Sequence, residues 1–248
     1  MAVLVTRPRP DDEATASALR ARGFEVLLAP MLRFEPVAFQ DDADTSYGAV
    51  IVTSANALRG IEPHLKASRL LKLPLFAVGE HTAASARGVG FENVIAANGD
   101  ASQLRDLVLA SVKAKTLKKA SPLLYLAGAD LARDLSGELG ERGFTVVTQT
   151  TYRMAAVSGL PREVCDAFVA GAIEAVLHYS RRSARAFLEA ARTAGVEISA
   201  LAIRQCCISD RVATVVRDAG ATQVVVAASP DENALFAALD RALRPVKR

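Results

Sequence analysis

Tryptophan is absent from the 248-residue sequence, and cysteine is scarce, with only three residues. Cys165, Cys206 and Cys207 show no CxxC or other metal-ligand spacing, and three thiols do not make a disulfide framework. The three histidines are scattered, with no carboxylate or second histidine at ligand spacing beside them. We therefore expect reduced, buried cysteines, structural histidines and no metal site.

Long apolar runs are missing as well. Apolar stretches such as VLV, AVIV and LLYLA are short, whereas a membrane-spanning helix needs about 20 apolar residues. The amino terminus lacks the basic stretch, long apolar core and cleavage site of a secretory signal. We therefore expect a cytoplasmic protein with no membrane contact.

Neither sign of charge dominates, because the formal net charge is only +3. Arginine provides 23 of the 30 basic residues, and its guanidinium can hold a carboxylate or phosphate with two parallel hydrogen bonds. This composition permits an anionic small-molecule ligand, although a bias toward arginine codons explains it equally well. The lysine cluster from Lys113 to Lys119 has no interleaved aromatic residues, so no nucleic-acid partner is predicted.

Buried-strand and helix patterns alternate along the chain, and its length favours two domains. This alternation predicts the α/β class, with parallel sheets that carry helices on both faces. The predicted strands include Val3–Thr6, Glu25–Ala29, Ala49–Thr53, Leu75–Val78 and Asn93–Ala96.

Three segments recur in the same order. ALRARGFEV (18–26) resembles ELGERGFTV (138–146), AVIVTSANALRGI (49–61) resembles AVLHYSRRSARAF (175–187), and residues 78–97 resemble residues 208–227. The offsets are 120, 126 and 130 residues. Such internal similarity indicates a duplication that produces two related lobes.

Short polar side chains follow several predicted strands, where the loops of a parallel sheet run into helix amino termini. Taken singly, serine and threonine at such positions are ordinary helix caps. Several helix starts that face one cleft between the lobes would also offer amides and positive dipole ends to an anion. We therefore place the candidate site in that cleft, with the polar residues Thr6, Ser54, Thr82, Ser180 and Ser183.

Familiar catalytic signatures are absent from the sequence. It contains no Walker loop, no GxGxxG after the first strand, no GxSxG motif, and no supported Ser–His–Asp or Cys–His arrangement. The site is therefore predicted to work without a cofactor or metal, or only to bind a ligand.

The ordered motifs resemble the uroporphyrinogen-III synthase family over nearly the whole chain. The matching segments are VLVTRP (3–8), LRARGFEVLLAPML (19–32), AVIVTSANAL (49–58), AVGEHTAASARGVGF (77–91), GERGFTVVTQTTYRM (140–154), AVLHYSRRSARAFL (175–188) and VVVAASPDENALFAAL (224–239).

This resemblance implies two similar flavodoxin-like α/β lobes joined by a two-stranded β-ladder. The chain would begin in one lobe, pass through the whole second lobe and then return. On this sequence the first lobe would comprise residues 1–33 and 159–248, the second lobe residues 40–149, and the linker strands residues 34–39 and 150–158.

The resemblance also implies a cofactor-independent lyase of tetrapyrrole and heme biosynthesis. Such an enzyme closes hydroxymethylbilane, a linear tetrapyrrole polyacid, to uroporphyrinogen III with inversion of ring D. Porphobilinogen deaminase would supply the substrate in a transient handover. Nothing in the pattern demands an interface, so a monomer is expected.

Tyr152 matches a tyrosine that the family places in the cleft, where its phenol would donate a hydrogen bond to the leaving hydroxyl. The alternative is that its ring only packs between the lobes. Arg7 is matched too, although it could brace its loop instead of touching substrate. The positions that match substrate-binding residues are Thr6, Arg7, Ser54, Asn56, Thr82, Ser180 and Ser183.

One segment departs from the family pattern. Where the pattern is IGxxTA the chain has ISDRVA, so Ser209 replaces a glycine and Val212 replaces a threonine. We expect one binding contact to be missing, with Arg181 and Arg182 either compensating by pairing with a carboxylate or lying on the surface. A second class of function therefore stays open: a catalytically degenerate family member, or a two-lobed binding protein for an anionic small molecule.

Overall fold

The computed structural model describes residues 1–40, 44–66, 68–131 and 133–243. The chain divides into two compact units: unit 1 comprises Met1–Phe34 and Ala155–Arg248, and unit 2 comprises Glu35–Met154. The predicted lobe ranges 40–149 and 159–248 include residues 41–43, 67, 132 and 244–248, which lie outside the described residues.

Strands and helices alternate through both units. The strands are β1 (Ala2–Val5), β2 (Glu25–Leu28), β3 (Leu32–Pro36), β4 (Ala49–Val52), β5 (Pro74–Ala77), β6 (Asn93–Ala96), β7 (Leu123–Gly128), β8 (Val146–Ala156), β9 (Ile173–His178), β10 (Arg204–Cys207) and β11 (Val224–Val226). The helices are α1 (Asp11–Ala21), α2 (Ala55–Leu65), α3 (Glu80–Gly88), α4 (Ala101–Lys113), α5 (Leu135–Gly140), α6 (Arg162–Val169), α7 (Arg181–Thr193), α8 (Glu197–Ala202), α9 (Asp210–Asp218) and α10 (Glu232–Leu243), and a 3₁₀ turn covers Arg69–Lys72.

The sheet that includes the strands of unit 2 has the order β3-β8-β7-β4-β5-β6. Neighbours from β8 to β6 are parallel. Val50 and Val52 pack in one apolar cluster with residues of α2 and α3, whereas Ala49 and Ile51 pack in another with residues of α4 and α5. Because successive side chains point to opposite faces, both faces of this sheet are covered by helices.

Strand β3 pairs with β8 at the edge of this sheet. The amide of Val37 donates to the carbonyl of Thr151 (2.9 Å), and the amide of Val157 donates to the carbonyl of Met31 (3.0 Å). Residue numbers therefore rise along one strand as they fall along the other, so this pair is antiparallel.

The sheet of unit 1 has the order β11-β10-β9-β1-β2, with parallel neighbours throughout. Numbered along the chain within the unit, this is the 2-1-3-4-5 order of flavodoxin. Numbered in the same way, the parallel strands of unit 2 have the order 3-2-1-4-5. The reason is that β1 and β2, the first two strands of unit 1, correspond to β7 and β8, the last two strands of unit 2. The predicted α/β class, with two helix-flanked parallel sheets, is confirmed, and the strand order of unit 2 is a permutation of the flavodoxin order.

The repeated segments adopt repeated structures. Gly23 and Gly143 follow equivalent helices with φ values of 84° and 80°, a left-handed conformation that glycine adopts without strain. In each unit the amide of the next phenylalanine donates to a helix carbonyl at 3.2 Å. The same chain reversal therefore joins helix to strand in both halves, as duplication requires.

The three cysteines are free thiols. Cys206 and Cys207 are buried on β10, and burial raises the pKa of both thiols to about 12, which keeps them protonated and unreactive. The expectation of burial is wrong for Cys165, which is only partly buried because it lies beside the buried stripe of the amphipathic helix α6.

Candidate functional site

A cavity of about 290 Å³ lies at the carboxyl ends of the parallel strands of unit 2. Open α/β sheets bind ligands at this end. The loops after β4, β5 and β7 contribute to its wall, and β8 adds a tyrosine. The lining residues are Thr53, Ser54, Val78, Ala101, Tyr125, Gly128, Asp130, Leu131, Arg133, Leu135 and Tyr152.

Tyr152 reaches this cavity from β8 and is half-buried. Its backbone is held by the neighbouring strand, since the amide of Ala129 donates to the Tyr152 carbonyl at 2.9 Å. The ring also packs against the apolar cluster of the α2 face. The predicted catalytic residue is thus a phenol with an apolar backing at the wall of a cavity.

A second phenol lines the same cavity. The Tyr125 hydroxyl lies 3.0 Å from Oγ1 of Thr53, and burial raises the pKa of Tyr125. The phenol therefore stays neutral and able to donate across the physiological pH range. Neither Tyr125 nor Thr53 was predicted as part of the site. Tyr125 lies inside the apolar run LLYLA, so its sequence pattern is that of an ordinary core residue.

The predicted residue Ser54 lies at the cavity wall, directly before helix α2. Its Oγ accepts a hydrogen bond from the amide of Asn56 at 3.2 Å, so Ser54 is the amino-terminal cap of the helix. Ser54 and Asn56 are both partly exposed. Thr82, in the first turn of α3, is only 5% exposed, so its side chain offers little surface to a ligand.

Arg133 brings a positive charge to the cavity wall. Its guanidinium donates to Glu138 and to the hydroxyl of Ser102, and Arg105 also pairs with Glu138. The hydrogen bond from Arg133 holds the pKa of Glu138 below its usual range. Arg133 was not predicted as a site residue, and the sequence carries no motif that singles it out.

The predicted residues of unit 1 are largely engaged in internal contacts. Thr6 is fully buried, and its hydroxyl donates to the carbonyl of Leu177 at 2.8 Å. Ser183 is also fully buried, and its hydroxyl donates to the carbonyl of Ser180. Ser180 caps α7 by accepting from the amide of Ser183 at 3.1 Å and remains partly exposed.

Arg7 is the centre of a polar cluster in unit 1. Its guanidinium pairs with Glu232 and Asp11, each at 3.0 Å, and lies 4.8 Å from the ring centroid of Tyr179. The same oxygen of Glu232 accepts from Thr15 at 2.6 Å and from Tyr179 at 2.8 Å. With two carboxylates already bound, Arg7 has the contacts of a residue that braces its loop.

The altered segment of unit 1 keeps the backbone of its counterpart. Ser209 occupies the position just before α9 with φ −160° and ψ 162°, and Gly79 occupies the position just before α3 with φ −171° and ψ 172°. Both are extended conformations open to any residue. Val212 is buried like Thr82, and Arg181 and Arg182 are exposed.

Nothing in the described ranges groups three or more His, Cys, Asp or Glu side chains as a metal-binding set. In the same ranges no helix has the length and apolar character needed to cross a membrane.

Comparison with known proteins identifies one family. The sequence profile of uroporphyrinogen-III synthase HemD matches residues 13–237. A uroporphyrinogen-III synthetase from Helicobacter pylori superposes with a TM-score of 0.64 at 18% identity, covering 98% of this chain and 99% of the other. A mutant uroporphyrinogen III synthase from the extremely thermophilic bacterium Thermus thermophilus gives a TM-score of 0.57 at 17% identity, with 98% and 99% coverage. At these identities the two structures show the fold alone, and no curated protein matches the chain.

Proposed function

The chain belongs to the uroporphyrinogen-III synthase HemD family, and we propose that its unit 2 cavity is where hydroxymethylbilane loses its hydroxyl and closes to uroporphyrinogen III. The chain is thus a cyclising lyase of heme biosynthesis. The observation that carries the site assignment is the position of Tyr152 at the wall of a cavity at the carboxyl ends of the parallel strands.

The chemistry asks little of reactive side chains. Loss of the hydroxyl leaves a stabilised cation, which the substituted carbon of ring D attacks to give a spiro intermediate that fragments and recloses. Left alone, the bilane cyclises without inversion, so the enzyme must mainly fold the substrate and assist the departing hydroxyl. A phenol hydroxyl backed by apolar residues suits that donor role, and Tyr152 is our candidate for it.

We assign substrate binding to helix starts. The first-turn amides of α2, α3 and α7 carry partial positive charge that favours carboxylates, and Ser54, Asn56 and Ser180 are partly exposed there. Arg133 lies at the wall of the cavity, but its guanidinium is already bound to Glu138 and Ser102, so like Arg7 we assign it to bracing and not to substrate binding. We keep Thr82 and Ser183 only as residues that shape the starts of α3 and α7, Thr6 as a buried contact to the carbonyl of Leu177, and Arg7 as a brace.

We further propose that the enzyme acts in the cytoplasm as a monomer and takes the bilane from porphobilinogen deaminase. Rapid handover is favoured by the chemistry, because free bilane closes to the wrong isomer.

The competing function is an inactive family member, or a binding protein, that holds an anionic small molecule. The observation in its favour is Ser209 and Val212 in the segment where the family pattern has glycine and threonine.

A coupled assay decides between these functions. Porphobilinogen deaminase generates hydroxymethylbilane, and the oxidised product isomers are separated by chromatography. We expect the type III isomer in excess over the uncatalysed type I isomer. Type I alone, at every enzyme concentration, would exclude the synthase activity.

A further inference from the structure

The ring of Tyr152 rests against a residue that has no side chain. A β-carbon built on Gly128 would lie 2.7 Å from Cζ of Tyr152 and 2.8 Å from its hydroxyl oxygen. Both distances are well inside ordinary van der Waals contact. The hydroxyl end of the ring therefore occupies the space that any other residue at position 128 would fill.

A β-bulge creates this contact. Ala127 pairs with Thr150, but the next residue, Gly128, pairs with Tyr152, so β8 carries Thr151 as one extra residue. Bulges re-aim side chains near functional sites. Here the bulge brings Tyr152, instead of its neighbour, opposite Gly128 at the cavity.

The bulge itself is held on its other side. Thr151 is fully buried, and its hydroxyl donates to the carbonyl of Ala57 at 3.0 Å, with the carbonyl of Ala127 at 3.3 Å. Helix α2 approaches so closely that a β-carbon on Gly60 would lie 2.3 Å from the Thr151 carbonyl oxygen. Because this backbone is fixed, Tyr152 can move only by rotation about its side-chain torsions. The space left by the missing side chain of Gly128 then determines where the Tyr152 hydroxyl lies.

We propose that Gly128 is a positioning residue that sets the location of the Tyr152 hydroxyl for the departing hydroxyl of the substrate. This inference rests on the proposed role of Tyr152. A methyl group at position 128 would displace the phenol by several tenths of an ångström or more, and misplacement by about 1 Å can reduce a rate by about 100-fold.

The test is Gly128→Ala, with Gly140→Ala as the matched control. Gly140 lies in the same unit, and a β-carbon there would meet none of the described residues within 4 Å. We expect Gly128→Ala to lower kcat by about 10- to 100-fold, to raise the share of type I isomer, and to change KM by less than about 3-fold. Gly140→Ala should leave all three unchanged.

A Tyr152→Phe background separates positioning from a structural role, because groups that act through one another are not additive. In that background Gly128→Ala should lower kcat by less than about 2-fold, since no hydroxyl remains to misplace. Equal losses in both backgrounds, or a fully active Gly128→Ala enzyme, would overturn the proposal. If Gly128→Ala does not fold, folding should return when Tyr152→Val removes the ring, and failure to return would also refute the role.

A readout independent of activity distinguishes failure of this inference from failure of the proposed function. The chain has four tyrosines, so ring-labelled tyrosine gives few NMR signals, and Tyr152→Phe assigns one of them. Gly128→Ala should shift the Tyr152 signal more than the other three. An unmoved signal counts against the contact even if the protein makes no type III isomer.

Discussion

Nε2 of His178 lies 2.8 Å from the side-chain oxygen of Gln205, and both residues are fully buried in unit 1. Gln205 donates its amide hydrogens to the carbonyls of Ala200 and Ile203, so its oxygen faces the histidine as an acceptor. The imidazole must therefore carry its proton on Nε2. Nδ1 has no hydrogen-bond partner within the described part of the chain, and protonating it would place an uncompensated charge in the core.

This arrangement predicts acid sensitivity. Burial lowers the pKa of His178 from 6.5 to about 4, so between these values the unfolded chain binds a proton that the folded chain excludes. The unfolding free energy should be unaffected by this residue above about pH 6.5 and should fall by about 3 kcal/mol as the pH drops to about 4. Urea unfolding of wild type and His178→Gln across this range measures the difference, since glutamine keeps a donor and does not titrate. Parallel pH profiles for the two proteins would show that His178 contributes nothing.

Tyr152→Phe removes one hydroxyl and keeps the ring that packs on the α2 face. If the phenol assists the departing hydroxyl, kcat should fall by about 100-fold, the lower end of typical acid–base contributions, with KM changed much less. The coupled isomer assay measures both constants, and product binding checks that the site is intact. A normal kcat would assign Tyr152 to packing alone.

Arg7→Gln and Glu232→Gln test whether Arg7 braces unit 1 or binds substrate. Because the two side chains pair at 3.0 Å, each substitution should lower the unfolding free energy by about 1–3 kcal/mol. The double variant should cost less than the sum, since the pair is lost only once. Urea unfolding gives these energies.

Kinetics supply the other half of that test. KM for hydroxymethylbilane should change by less than about 3-fold in both single variants, because the guanidinium is already committed to carboxylates of the protein. A large rise in KM for Arg7→Gln, without one for Glu232→Gln, would show that Arg7 binds the substrate.

The alternation of buried strands and helices was predictable because the strands are apolar on both faces. The strand predicted at Asn93–Ala96 has the observed bounds, and the one predicted at Ala49–Thr53 ends one residue earlier, at Val52. Thr53 is polar and instead turns toward the Tyr125 hydroxyl. Hydrophobic periodicity predicts which residues are buried. It does not predict that a polar group at the end of a buried strand, such as the Thr53 hydroxyl, lies at a cavity.

The sequence alone does not explain why unit 1 has a polar pair at core positions where unit 2 has an apolar pair. Val52 and Leu75 lie in one apolar cluster of unit 2. The repeat aligns Val52 with His178, and equivalent strand pairs, Val50 with Leu75 and Val176 with Gln205, align Leu75 with Gln205. The alignment shows polar residues at core positions, but only the structure shows that they satisfy each other. The bulge opposite Gly128 was equally inaccessible, because a register shift depends on contacts between strands distant in the sequence.

The helix starts at Gly79 and Ser209 offer a test of whether the altered segment has weakened the enzyme. Their backbones are nearly superimposable in φ and ψ, so exchanging the residues, as Gly79→Ser and Ser209→Gly, should change the unfolding free energy by no more than about 1 kcal/mol each. A β-carbon on Gly79 would meet no atom of the described part of the chain within 4 Å, which leaves space at the start of α3 for a ligand. Gly79→Ser fills part of that space and should raise KM for hydroxymethylbilane several-fold.

Restoring the family residues in unit 1 should have little effect. Val212 is only 4% exposed, so a hydroxyl introduced by Val212→Thr would meet the protein interior more than the substrate, and Ser209 already shares the backbone of a glycine cap. We expect Ser209→Gly/Val212→Thr to change kcat/KM by less than about 3-fold, because Val212 is buried and the start of α9 is not among the helix starts that we assign to substrate binding. A gain of about 10-fold or more would mean that this helix start is a binding position impaired in this chain. Activity would then be limited by the departure of ISDRVA from the family pattern, and unit 1 would contribute more to substrate binding than its buried side chains indicate.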